Sequence, residues 1–169
     1  MVKTCLAFGL ICLIIGVLTA CTALPPLQPA SAPPPAAPQP EQLVVFDGAS
    51  ELILAPGDAA YTPIAHKLAE LIAAMDTPIY AYYPPERVAA EIMPVPHLEA
   101  AYSRSVTLGS ATYQVPAERL IVVVAHAEKI ILTKAPDRAN WDACETSQPA
   151  RFDALLQTVK DQTGVNLLP

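Results

Sequence analysis

Four groups of residues have side chains and a spacing that could carry chemistry. His66 and Glu70 stand four apart, which on a helix puts both on one side and could present two ligands to a metal. Such a site needs a third ligand. His97 and His126 are the other histidines, and neither completes a His-Glu-x-x-His pattern. The pair is therefore expected to sit on the polar face of a helix, opposite Leu68 and Leu71, with no metal and no other cofactor. Ser103 and Ser105 flank Arg104, but no Gly-x-Ser-x-Gly elbow or Ser-x-x-Lys pair accompanies them. Cys144 lies in Trp141-Asp142-Ala143-Cys144-Glu145, where acids and no cation stand beside the thiol. Such neighbours raise a thiol's pKa, so Cys144 reads as inert and partly buried. Tyr80, Tyr82 and Tyr83, beside Pro84-Pro85, form the densest aromatic cluster. Tyrosine joins a large apolar area to a polar tip, which suits recognition, so these three are the candidate binding surface. The competing reading packs one face of the cluster on the core, since Tyr80 and Tyr82 would share a face in a strand.

A fifth group lies near the amino terminus. Lys3 precedes fourteen apolar residues, Cys5 to Leu18, and the small residues Thr19 and Ala20 then precede Cys21. That is the layout of a secretory signal with its cleavage site. Leu18-Thr19-Ala20-Cys21 resembles the lipobox of bacterial lipoprotein precursors. The resemblance implies diacylglycerol transfer to the Cys21 thiol, cleavage before Cys21, and often acylation of the new amino group. Two or three acyl chains would hold the protein stably, because each buried methylene contributes about 0.8 kcal/mol and one chain binds only marginally. The competing readings are an uncleaved transmembrane helix and an ordinary signal with a fortuitous cysteine. The run from Thr4 to Ala20 is seventeen residues, at the short edge of what spans a bilayer. With Lys3 held inside, every reading places the chain beyond residue 21 outside the cytoplasm.

Charge and composition narrow the partners. Every acidic residue lies at or beyond Glu41, and Lys3 would leave with the signal. The mature chain then carries nine basic groups against sixteen acidic, a net charge of −7. Phosphate backbones repel such a surface, so nucleic-acid binding is not expected. Of four cysteines, Cys5 and Cys12 lie in the signal and Cys21 takes lipid. Cys144 is left alone, so the domain must stand on its core without a disulfide framework.

The elements that must position these residues begin with a spacer. Leu24 to Pro40 holds eight prolines in seventeen residues with no charge, a stiff segment that cannot build a core. At about 3.1 Å per residue it could hold a domain roughly 50 Å off a bilayer. The folded part is expected to begin at Glu41. Leu43–Phe46 and Glu51–Leu54 read as strands joined at Asp47-Gly48, a strong hairpin signal. Thr62-Pro63 reads as a cap and first turn, and Ile64, Leu68, Leu71, Ile72 and Met75 form one stripe of a helix over 63–75. Ile79 to Tyr83 is either a short strand or a connector. Glu86 to Ile92 suggests a short second helix. Strands are then expected over Leu98–Leu108, Ala111–Val115, Leu120–Ala125 and Lys129–Thr133, with the third covered on both faces. Residues 134–147 read as a polar loop holding Trp141. Pro149 opens a last helix with Phe152, Leu155, Leu156 and Val159 on one face and Gly164 at its end.

The order ββα(α)ββββα argues an α+β domain: a mostly antiparallel sheet with helices packed on one face. Residues 1–20 read as signal, 21–40 as lipidated cysteine and linker, and 41–169 as one extracytoplasmic domain. The function expected is a non-enzymatic binding domain, lipid-anchored in the cell envelope through Cys21 and engaging a protein or peptide partner. Two alternatives stand beside it: a small hydrolase-like enzyme whose site forms by tertiary convergence, and a purely structural envelope part.

Overall fold

The computed structural model describes residues 38–125 and 127–168. Strands β1 (Gln42–Phe46) and β2 (Glu51–Leu54) form the hairpin expected at Asp47-Gly48. The Asp47 carboxylate accepts from the Ala49 and Ser50 N–H groups at 2.8 and 2.6 Å, closing the loop. Those backbone donors hold its pKa below the usual carboxylate value. Helix α1 (Tyr61–Ile72) buries Ile64, Leu68, Leu71 and Ile72, the stripe read from the sequence. Its start differs from expectation: Ala60 is the N-cap, without a side-chain bond, and Thr62 lies inside the helix. The helix also ends sooner. The chain breaks at Ala73-Ala74, and Met75 opens strand β3 (Met75–Tyr83).

A short α2 (Pro85–Arg87) runs into a π-helical turn, Val88–Ile92. Then come β4 (His97–Gly109), β5 (Gln114–Ala125), β6 (Glu128–Lys134), β7 (Trp141–Thr146) and α3 (Pro149–Thr163). The strands make one antiparallel sheet in the order β2-β1-β4-β5-β6-β7-β3. Helices α1 and α3 pack against each other and on one face of it, the α+β architecture expected.

Three strand assignments change. Of the strand expected over Ala111–Val115 only Gln114 and Val115 are extended, and they join Leu120–Ala125 in a single strand, β5, while residues 111–113 lie in the turn before it. Pro116 fits there because β6 pairs only with Arg119 to Ala125, leaving β4 as the one neighbour at Pro116. The supposed loop over 134–147 contains β7, and Ile79–Tyr83 is the end of β3. These two strands pair with each other, at one edge of the sheet. The β4–β5 turn needs Gly109. It sits at φ 122°, and a Cβ there would run into the Tyr113 carbonyl.

The central strand is covered on both faces, as its unbroken apolar run requires. Leu120, Val122 and Val124 meet Phe152, Leu155, Leu156 and Val159 of α3, together with the α1 stripe. Ile121 and Val123 face the other way and join Val88, Ile92, Tyr83 and Trp141. The short α2 and π-helical turn therefore cover the second face rather than joining α1 and α3 on the first. His97 is buried between β1 and this cover, its ring 5.2 Å from Phe46 and its Nδ1 2.8 Å from the Val95 carbonyl. A carbonyl can only accept, so Nδ1 carries the hydrogen and His97 serves as a core residue.

Candidate binding surface

Strand β3 decides what the tyrosine cluster can do. It starts tied to its neighbour: Asp76 accepts from the Ser147 backbone N–H at 2.9 Å and from the Ser147 hydroxyl. These bonds hold the Asp76 pKa below its usual value. Pro78 then lies opposite Cys144, and Ile79 opposite Ala143. Cys144 belongs to the helix-side core and Ala143 to the second one. Alternation therefore sends Pro78, Tyr80 and Tyr82 to the helix side, and Ile79 and Ala81 to the other.

At this edge the helices give no cover. Tyr80 is 97% exposed and Tyr82 67%. Between Ile79 and Tyr83 the register shifts, so β3 carries extra residues opposite β7. Alternation puts Tyr83 on the same side as Ile79 and Ala81, and the bulge sets it opposite Trp141 in the second core, where it is only 6% exposed. Tyr83 therefore leaves the candidate surface. Its ring lies under the Arg87 guanidinium, 4.5 Å from centroid to Cζ, and Arg87 also donates to the Tyr82 carbonyl at 2.9 Å. Arg87 is held in turn by Glu91 at 2.9 Å. The backbone under the exposed pair is thus pinned from its carboxyl end.

Sequence reasoning missed Tyr113. It comes from the β4–β5 turn and packs partly against the helix-side core. Burial pushes the Tyr113 hydroxyl's pKa up, with smaller contributions from Cys144 and Asp142. Asp142 is paired with Arg138 at 2.6 Å. The exposed patch is therefore the two bare tyrosines, Tyr80 and Tyr82. Such a patch can offer ring faces and hydroxyls to a partner but holds no nucleophile.

Two candidates, Cys21 and His126, lie outside the described residues. His66 sits 3.1 Å from Glu70 on the exposed side of α1, and Glu70 also meets Lys67 at 3.0 Å and Arg151 at 3.6 Å. The Lys67 hydrogen bond chiefly lowers the Glu70 pKa. Among the described residues no cluster of three metal-ligating side chains occurs. Cys144 is fully buried and donates to the Ile131 carbonyl at 3.5 Å. Burial first, then Asp142 and Glu145, push its pKa up to about 12, so the thiol stays protonated.

An open hollow of about 260 Å³ lies among Ala127, Glu128, Lys129, Glu145, Thr146 and Phe152. Glu128 and Glu145 line it, and its cation, Lys129, is taken by Asp153 at 2.5 Å. Ala127 adopts φ 66°, a left-handed conformation that is strained for alanine. No family model matches this chain, and no curated protein or solved structure matches it either.

Proposed function

We propose that this protein is an extracytoplasmic binding domain, lipid-anchored at Cys21, that engages a protein or peptide partner through the β3 edge. The observation that carries the binding reading is the pair Tyr80 and Tyr82, 97% and 67% exposed on a free edge strand. Such rings supply contact area at little entropic cost, because each tyrosine orders only two torsions on binding. Net negative charge argues against nucleic acid as the partner.

The anchoring reading is supported by the lipobox resemblance at Leu18-Thr19-Ala20-Cys21 and by the uncharged Pro-rich spacer beyond it. No helix among the described residues is long and apolar enough to cross a membrane. Metabolic labelling with an alkyne fatty acid tests the anchor. Label should enter the wild type and not Cys21→Ser, and equal label in both would remove the lipoprotein reading. Tyr80→Ser with Tyr82→Ser tests the surface independently. That double variant should keep its label and its melting temperature while losing the crosslinked complexes that wild type forms in intact cells. Unchanged complexes would place the binding surface elsewhere.

A further inference from the structure

Between its last two paired positions, β3 is longer than β7. Ile79 pairs with Ala143 and Tyr83 with Trp141, so Tyr80, Ala81 and Tyr82 stand opposite Asp142 alone. The two bare rings therefore hang on the part of β3 that the register of the sheet holds least. A side chain from outside the sheet takes over there. Arg87, the last residue of α2, donates from Nη1 to the Tyr82 carbonyl and from Nε to Glu91, both at 2.9 Å. The same guanidinium lies over the Tyr83 ring, 4.5 Å from its centroid.

The support beneath Arg87 is itself fixed. The Arg87 and Val88 N–H groups both donate to the Pro84 carbonyl at 3.1 Å. Val88 and Ile92 are buried in the second core, and the Met93 N–H closes the π-helical turn on the Val88 carbonyl at 2.9 Å. That turn carries Glu91, which meets Arg87 at Nε. Arginine suits this place as lysine would not. Its fork offers separate donors to a carbonyl and a carboxylate while its face covers a ring, whereas lysine ends in one compact ammonium.

We infer that Arg87 is a positioning residue of the recognition edge, fixing the Tyr80–Tyr82 segment in one pose before a partner arrives. It acts through the Tyr82 carbonyl and the buried Tyr83 ring. A pose fixed in advance spares part of the ordering cost of binding. Without it, apparent affinity falls in proportion to the fraction of molecules in the competent pose. The service to recognition rests on the role proposed above for β3; the clamp itself does not.

Two measurements on the full chain keep the clamp and the recognition role apart: NMR relaxation in detergent micelles and photocrosslinking in intact cells. Arg87→Lys keeps the charge but not the fork, and Arg87→Met keeps only the apolar stem. In both, the order parameters of the Ala81 and Tyr82 amides should fall from about 0.85 to below about 0.6, with Val122 in the central strand unchanged. The melting temperature should drop by under about 5 °C, since the Arg87 side chain is 39% exposed. The adduct from a photoreactive phenylalanine analogue at position 80 should fall about fivefold, as the competent pose thins to about a fifth. Amides that stay rigid in both variants would overturn the clamp. So would full rescue by Arg87→Lys, since a charge alone would then suffice. Mobile amides with an undiminished adduct would overturn the service to recognition. No adduct from position 80 in an otherwise wild-type chain would sink the recognition role alone, and the order parameters would still decide the clamp.

Discussion

β2 closes one edge of the sheet with four residues, and β3 closes the other with nine. Both edges leave apolar side chains in solvent, Leu52 and Ile53 on β2 and Tyr80 and Tyr82 on β3. A free edge invites pairing with other chains, and proteins blunt such edges by shortness, charge, proline or bulges. β2 is blunted by its length and by Glu51. β3 carries Pro78 and a bulge, two devices that restrain edge pairing, yet it also displays two tyrosines that edge protection does not require. Protection alone explains β2. At β3 the backbone is guarded while the rings are bare, and that difference is what the proposed recognition role of β3 would account for.

The largest expected effect concerns the sheet from which both edges hang. Phe152, on the inner face of α3, is fully buried against the sheet. Phe152→Ala should cost about 3–5 kcal/mol in urea melts, the usual range for emptying a buried aromatic site. A neutral result would mean that α3 does not clamp the sheet. Next comes the residue that ties the β3 edge down. As part of an exposed cluster, Tyr83 would cost under about 1 kcal/mol on truncation. Its place beside Trp141, Val88 and Ile92 raises the expected loss for Tyr83→Ala to about 3 kcal/mol. A loss under about 1 kcal/mol would return Tyr83 to the surface and erase the division within the strand.

That division shows where sequence reading stops. The central strands were legible because their apolar runs have no other use, and α3 because Pro149, its stripe and Gly164 agree. β3 and β7 were not. Asp76-Thr77-Pro78 reads as a helix stop, and the acids of Asp142 and Glu145 make β7 look like a loop. Each is a strand because the other lies beside it, and strand preference depends on such neighbours. Alternation did put Tyr80 and Tyr82 on one face. It also put Tyr83 on the opposite face, but gave no sign that Trp141, Val88 and Ile92 would bury that face while the helices left the other one bare.

A pH series sharpens the tie between β7 and β3. Asp76 has a folded-state pKa lowered from 3.8 by its bonds from Ser147. Its contribution is therefore full above the unfolded value and is lost as pH falls through the folded one. Asp76→Asn should lower the melting temperature at neutral pH and reduce the fall in stability seen in wild type below about pH 4. An acid limb identical in both proteins would show that Asp76 does not hold this edge. The smallest effect belongs to the displayed rings. Tyr80→Ser with Tyr82→Ser, or Ile53→Ser on the other edge, should each change stability by under about 0.5 kcal/mol. A larger loss at Tyr80 and Tyr82 would make them structural after all.

The contrast between the edges is tested most directly by site-specific photocrosslinking in intact cells. A photoreactive phenylalanine analogue replaces Tyr80 in one variant and Ile53 in another, both exposed and on opposite edges of one sheet. Irradiation should give a discrete adduct of a single mass from position 80 and none from position 53. No adduct from position 80, or the same adducts from both positions, would contradict the assignment of β3 as the recognition edge.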